Sequence, residues 1–313
     1  MKELKFLIDS FIFHCQYEKN LSSHSLKAYS IDLKQFQIFI LQNTVAENAI
    51  DKNVIRYYLK ELFQKNKPKT IKRKIATIKS FMNYLEYEEV IEISPFYKMK
   101  INIKEGKQLP KTIELKKIRR LFTYLYKRKE NLCSNLKEKY SNKALVRDIA
   151  VIELLFASGI RVAELSNLKT KDVNFSKGII LIKGKGNRER IIPIPHPGIL
   201  TAISEYYLLF KDNIGGGEYF FVNRLNSRLS EQSIRLMINK YASASNLQLH
   251  ITPHMFRHSV ATLLLENGVD IRYIQNILGH STISTTQIYA QVNEAPKRRI
   301  LRLKHPRVKF NFG

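Results

Sequence analysis

Six residues in the second half of the sequence have the types and order needed to break a phosphodiester without a metal. They are Arg161 in SGIRVAEL, Lys185 in KGKGNRER, His254 and Arg257 in HMFRH, and His280 and Tyr289 in LGHSTISTTQIY. During attack on a phosphodiester, two non-bridging oxygens gain charge, the nucleophile loses a proton and the leaving 5′ oxygen gains one. Guanidinium groups suit those oxygens because they stay charged and donate paired hydrogen bonds. Arg161 and Arg257 each sit in an otherwise apolar or compact stretch, where an unpaired cation is costly. Taken singly, either is equally a structural ion pair, for Arg161 with Glu164.

Lys185 lies between Gly184 and Gly186. An ordinary turn lysine is simply solvated. The flanking glycines, however, permit close backbone approach to a phosphate, and an ammonium can protonate a leaving oxygen. His254 and His258 have a zinc-like i, i+4 spacing, but Met255, Phe256 and Arg257 stand between them, without the glutamate of HExxH. No metal site is expected; His254 shares a helix face with Arg257, and His258 packs structurally. Tyr289 is one of 16 tyrosines. With a hydroxyl pKa of about 10 it needs positive surroundings to act as a nucleophile.

The elements that must hold these groups are mostly helical. Leu4, Leu7, Ile8, Phe11, Ile12 and Cys15 recur at three- and four-residue steps. Ser22 or Ser23 can cap a second helix through Tyr29, Leu33, Phe36 and Phe39, and a third begins near Asp51. Pro68 suits the first turn of a fourth, striped by Ile71, Ile75, Ile78, Met82 and Leu85. Off that stripe lie Lys69, Lys72, Arg73 and Lys79, with no acid between Lys65 and Lys79. A solvated face usually mixes both signs, so this helix is read as a DNA-contacting one.

Gly106 and Pro110 mark residues 104–112 as a linker between a helical domain, 1–103, and a second domain, 113–313. Thr112 can cap the next helix, and the polar stretch 127–147 reads as a loop or frayed turn. Helix resumes at Ile149 and stops at Gly159. The β-branched runs 179–182 and 191–194 flank GKGNRER as a hairpin, residues 219–222 offer another strand, and helices follow over 230–245, 252–267 and 270–278. The fold class expected is mainly α with a small β-sheet.

The chain has 313 residues, with 53 Lys and Arg against 27 Asp and Glu, a formal net charge of +26. That excess favours phosphate polyanions. No apolar run approaches the about 20 residues that span a bilayer, no signal peptide is read in MKELKFLIDSF, and Cys15 and Cys133 match no redox or metal spacing. The expectation is a soluble, reduced, cytoplasmic and nucleoid-associated protein without membrane partners.

The strings SGIRVAELSNL, KGKGNRERIIPIP, HMFRHSVATLLLENG and LGHSTISTTQIYAQV together resemble the tyrosine recombinases, most closely the Xer type. The resemblance implies a four-helix, SAM-like core-binding domain followed by a mixed α/β catalytic domain. It also implies catalytic roles for Arg161, Lys185, His254, Arg257, His280 and Tyr289, with Tyr289 forming a 3′-phosphotyrosyl link and neither ATP nor a metal required. Four protomers would assemble on two double-stranded sites with inverted-repeat cores. Each would pass its C-terminal segment to a neighbour, the basic tail with Lys297, Arg298 and Arg299 being the candidate. Two departures stand out: 127–147 looks long for the Xer type, and no arm-binding module precedes the first helix. A non-catalytic DNA binder and a topoisomerase IB-like enzyme are the rival readings. The intact polar set argues against the first, the helical N-terminal domain against the second.

Overall fold

The computed structural model describes residues 2–43, 50–105, 111–132, 139–184, 189–194, 196–215, 217–279 and 301–310. The chain divides into two compact units, Met1–Gln108 and Leu109–Gly313.

The first unit is four helices, α1 (Lys2–Tyr17), α2 (Ser23–Gln42), α3 (Lys52–Lys65) and α4 (Pro68–Tyr87). Ser22 caps α2 through the Ser25 amide, Asp51 caps α3 through the amides of Asn53 and Val54, and Pro68 opens α4. Their apolar stripes close on Phe11, Phe36, Ile55, Ile78 and Phe81, all completely buried. One carboxylate lies among them: Asp32 of α2 is inaccessible to solvent and pairs with Arg73 and Lys74 of α4, and the Thr77 hydroxyl donates to it at 3.2 Å. A buried charge needs such partners.

The second unit is built around α6 (Tyr140–Ser158), which packs against α5 (Leu115–Glu130), α8 (Pro197–Leu209) and α11 (Pro253–Glu266). The five-residue α7 (Val162–Ser166), the four-residue α9 (Lys211–Ile214), α10 (Glu231–Ala244) and α12 (Ile271–Leu278) belong to the same unit, and residues 301–304 are helical as well. A three-stranded antiparallel sheet, in the order β1 (Val173–Asn174), β2 (Ile179–Lys183), β3 (Glu189–Pro193), pairs Ile180 with Ile192 and Ile182 with Arg190. Mainly helical architecture with a small sheet is therefore the observed class. Ser230, Thr252 and Asp270 cap α10, α11 and α12.

Several expectations are corrected. Thr112 does not cap α5; Glu114 holds that position, with no side-chain cap bond. The stretch 127–147 is helical through Glu130 and again from Tyr140, while 133–138 fall outside the described residues. Its polarity misleads because Arg147 and Asp148 are buried together. Arg147 donates to Asp148 at 2.7 Å and to the Tyr140 hydroxyl at 2.8 Å, and Tyr241 donates to Asp148 at 2.9 Å. Residues 219–222 form only isolated bridges. The Tyr206 hydroxyl donates to the Phe220 carbonyl and accepts from the Val222 amide, taking the backbone groups a strand would use. Helix α8 is absent from the elements expected from the sequence; Pro197 stands in its first turn, and His196 Nδ1 accepts the Gly198 amide at its start.

Residues 301–310 return to this unit. Arg307, 1 % exposed, donates to Glu153 of α6 at 2.6–3.1 Å and to the Phe310 carbonyl at 2.8 Å, and Tyr126 donates to Glu153 at 2.8 Å. Phe310 stacks on Phe156.

Candidate active site

Two helix ends define the site. α6 terminates at Gly159 and α12 at Gly279, both left-handed, with φ of 59° and 68°. Helix ends leave carbonyls without intrahelical partners and carry partial negative charge. The ends approach so closely that a Cβ on Gly159 would stand 2.6 Å from Leu278 Cδ2. A side chain there meets both a steric and a backbone penalty.

Guanidinium groups fill the space between these ends. Arg257, three residues after His254 on α11, is 5 % exposed and donates Nη1 to the Gly159 carbonyl at 2.8 Å and Nη2 to the Leu278 carbonyl at 2.6 Å. Arg161, the N-cap of α7, donates Nη2 to the Gly279 carbonyl at 3.3 Å and Nη1 to Glu164 at 2.9 Å. The Arg161–Glu164 ion pair read as an alternative in the sequence is thus present. A third arginine, Arg190 of β3, donates to both Glu164 oxygens, at 3.0 and 2.7 Å, and to the Ile277 carbonyl at 3.2 Å.

Three arginines therefore face one carboxylate. Burial, then repulsion from Arg161 and Arg190 only partly offset by Glu164, pulls Arg257 down to about 10. It remains cationic at neutral pH, in surroundings that a further anion would relieve. Glu164 is held below the usual carboxylate range because its bonds to Arg190 and Arg161 outweigh the burial that opposes them. His254, on the outer face of α11, is lowered by desolvation and then by the charges of His258, Arg257, Arg235 and Arg161. Its imidazole is accordingly neutral at pH 7. His258 is half-buried.

Arg161, His254 and Arg257 are thus brought together. Lys185, His280 and Tyr289 lie outside the described residues, as do Lys297, Arg298 and Arg299. In sequence, His280 directly follows Gly279, and Lys185 follows the end of β2. Arg190 is not among the sequence candidates, because it falls in the turn string GKGNRER. The signal was its alternation with Ile192, which is buried on β3.

Lys69, Lys72, Arg73 and Lys79 are all exposed on α4. The face is not without acids, as the local sequence implied: Asp32 pairs with Arg73, and Glu105 pairs with Lys72 at 3.2 Å. In the second unit a shallow basic groove lined by Lys116, Arg119, Arg120 and Lys127 runs between α5 and the end of α10.

Residues 112–295 match the phage integrase family, and residues 8–89 match the phage integrase N-terminal SAM-like domain. A tyrosine recombinase of Agathobacter rectalis is 45% identical over 315 residues, covering 100% of both chains. The chain belongs to the tyrosine recombinases.

This recombinase is also 32% identical over 320 residues to the tyrosine recombinase XerC of Oceanobacillus iheyensis, with 99% of each chain covered. Its fold matches the XerH site-specific recombinase in a pre-cleavage complex with its difH substrate. There the TM-score is 0.69 at 20% identity, over 94% of this chain and 80% of that one. The enzyme is accordingly a site-specific DNA recombinase with an N-terminal SAM-like domain ahead of its catalytic domain. No helix of the described residues is long and apolar enough to cross a membrane.

Proposed function

We propose that the enzyme cleaves and rejoins double-stranded DNA through Tyr289, with the scissile phosphate seated on Arg161 and Arg257. The observation that carries this reading is the convergence of those two guanidinium groups at adjoining helix ends, with more positive charge than Glu164 balances. The Tyr289 oxygen attacks phosphorus as neutral His254 takes the hydroxyl proton, forming a 3′-phosphotyrosyl bond as the bond to the 5′ oxygen breaks. Lys185 supplies the proton to that oxygen. His280 donates a hydrogen bond to the same phosphate. The 5′ hydroxyl of a partner strand then attacks the phosphotyrosine and returns the proton inventory to its start. One phosphoester replaces another at each step, so neither ATP nor a metal is required.

Lys69, Lys72, Arg73 and Lys79 contact the DNA backbone from the first domain, taken as 1–103, with 104–112 as linker and 113–313 as the catalytic domain. Four protomers act on two sites with inverted-repeat cores, in the cytoplasm at the nucleoid. The tail that carries Lys297, Arg298 and Arg299 passes between them.

A core site is obtained by selecting bound duplexes from a random library. On that site, Arg161→Gln and Arg257→Gln should each slow single-turnover cleavage by roughly 100- to 1000-fold while DNA affinity holds. Replacing the scissile phosphate with a methylphosphonate removes one negative charge and should shrink both deficits. Equal deficits on the two substrates would contradict the phosphate assignment.

A further inference from the structure

Arg190 has more specific contacts than a surface strand residue needs. Its side chain is only 12% exposed, its forked end covers both oxygens of Glu164, and its Nε holds the Ile277 carbonyl. A Cβ on Gly279 would lie 3.0–3.1 Å from its guanidinium atoms, so the group lies flat against the end of α12. It thereby ties three elements together: β3, the turn that begins α7, and the helix end gripped by Arg257.

Glu164 shows what that contact achieves. Its Oε1 accepts from Arg161 Nη1 at 2.9 Å and its Oε2 accepts from the Arg161 amide at 2.9 Å, while Arg190 donates to each oxygen as well. A carboxylate with two free oxygens forms a bidentate pair with an available guanidinium. Without Arg190, the available one is Arg161, which is 40% exposed and among the described residues otherwise holds the Gly279 carbonyl.

We propose that Arg190 is a positioning residue of the recombination site, which occupies the Glu164 carboxylate so that Arg161 keeps its charge and its outward edge for the phosphate. The proposal rests on the phosphate role given above to Arg161. Neutralising Glu164 is the work of Arg190; carrying net positive charge to the substrate is the work of Arg161. A structural ion pair would hold the fold and do nothing more.

The two roles part in a double variant. With DNA saturating, Arg190→Gln should slow covalent-adduct formation on a core-site duplex nicked beside the scissile phosphate by about 100-fold, the size of effect that misplacing a reacting group produces. Its Kd should stay within about 3-fold of wild type, because the many backbone contacts remain. Arg190→Gln combined with Glu164→Gln frees Arg161 again and should recover about 10-fold over Arg190→Gln alone. An Arg190→Gln enzyme with the wild-type rate, or a double variant no faster than Arg190→Gln, overturns the proposal. Should Arg190→Gln not fold, Arg190→Lys serves. It keeps a charge beside Glu164 without the fork, and should lose about 10-fold, since one ammonium covers one oxygen. A wild-type rate in that variant likewise overturns it. Arg161→Gln, run alongside, separates the two claims. Undiminished cleavage there removes the phosphate reading of Arg161, whereas slow cleavage with no rescue in the double variant removes Arg190 alone.

Discussion

At the scale of single residues, the site depends on buried or crowded cations that only an anion completes. Arg257 lies between two carbonyls with its pKa drawn down to about 10, and His254 is driven toward the neutral form by desolvation and then by His258 and three nearby arginines. An imidazole lowered from 6.5 stays neutral until pH falls below that value. Cleavage should therefore be level from about pH 8 to 6.5 and decline only on the acid side, a limb that His254→Gln removes. Rate profiles of both enzymes check this, and a wild-type decline already complete at pH 7 contradicts it. Arg161 and Arg257 were legible in sequence because a guanidinium amid apolar residues needs a reason. Arg190 was not, since a charged residue next to a turn has an ordinary explanation and its partner Glu164 is 26 positions away.

At the scale of elements, the glycine ends of α6 and α12 set how closely the arginine-bearing segments approach. Gly159→Ala puts a left-handed alanine 2.6 Å from Leu278 Cδ2. Backbone strain and overpacking together should destabilise the catalytic domain by about 2–4 kcal/mol, read by urea unfolding. A change under about 0.5 kcal/mol would show that the helix ends can separate freely. Stripes and caps made the helices of the first unit and α10 to α12 readable. What defeated the reading were polar groups that fold inward: the Arg147–Asp148 pair hid the start of α6, and the Tyr206 hydroxyl displaced a strand at 219–222. Arg147 and Asp148 are neighbours in sequence, but Tyr241 completes their cluster from 93 positions away and Tyr206 reaches Val222 across 16, and local periodicity contains no trace of such links.

Across the whole molecule, charge is distributed for a polyanion while the interior still balances its own. The formal net charge is +26, yet Asp32, Asp148, Glu153 and Glu164 each have a cationic partner within their own unit. Glu153 is the most demanding, being fully buried in α6 with its guanidinium supplied from residue 307. Arg307→Met should lower stability by about 3–5 kcal/mol, because it strands a buried carboxylate. Adding Glu153→Gln should return most of that loss. Thermal unfolding of the two variants decides it: a double variant as unstable as the single would mean that the tail contributes packing and not charge balance. That contact joins the end of the chain to its central helix, and nothing in the local sequence at either position announces it.

Trapping the covalent intermediate tests most directly whether Tyr289 is the nucleophile of a metal-free reaction. A core-site duplex nicked beside the scissile phosphate loses the fragment that would reverse cleavage, so the covalent complex accumulates. In EDTA the wild-type enzyme should give an SDS-stable adduct through Tyr289, and Tyr289→Phe should give none. An adduct that persists in Tyr289→Phe, or one that forms only when magnesium is added, would contradict it.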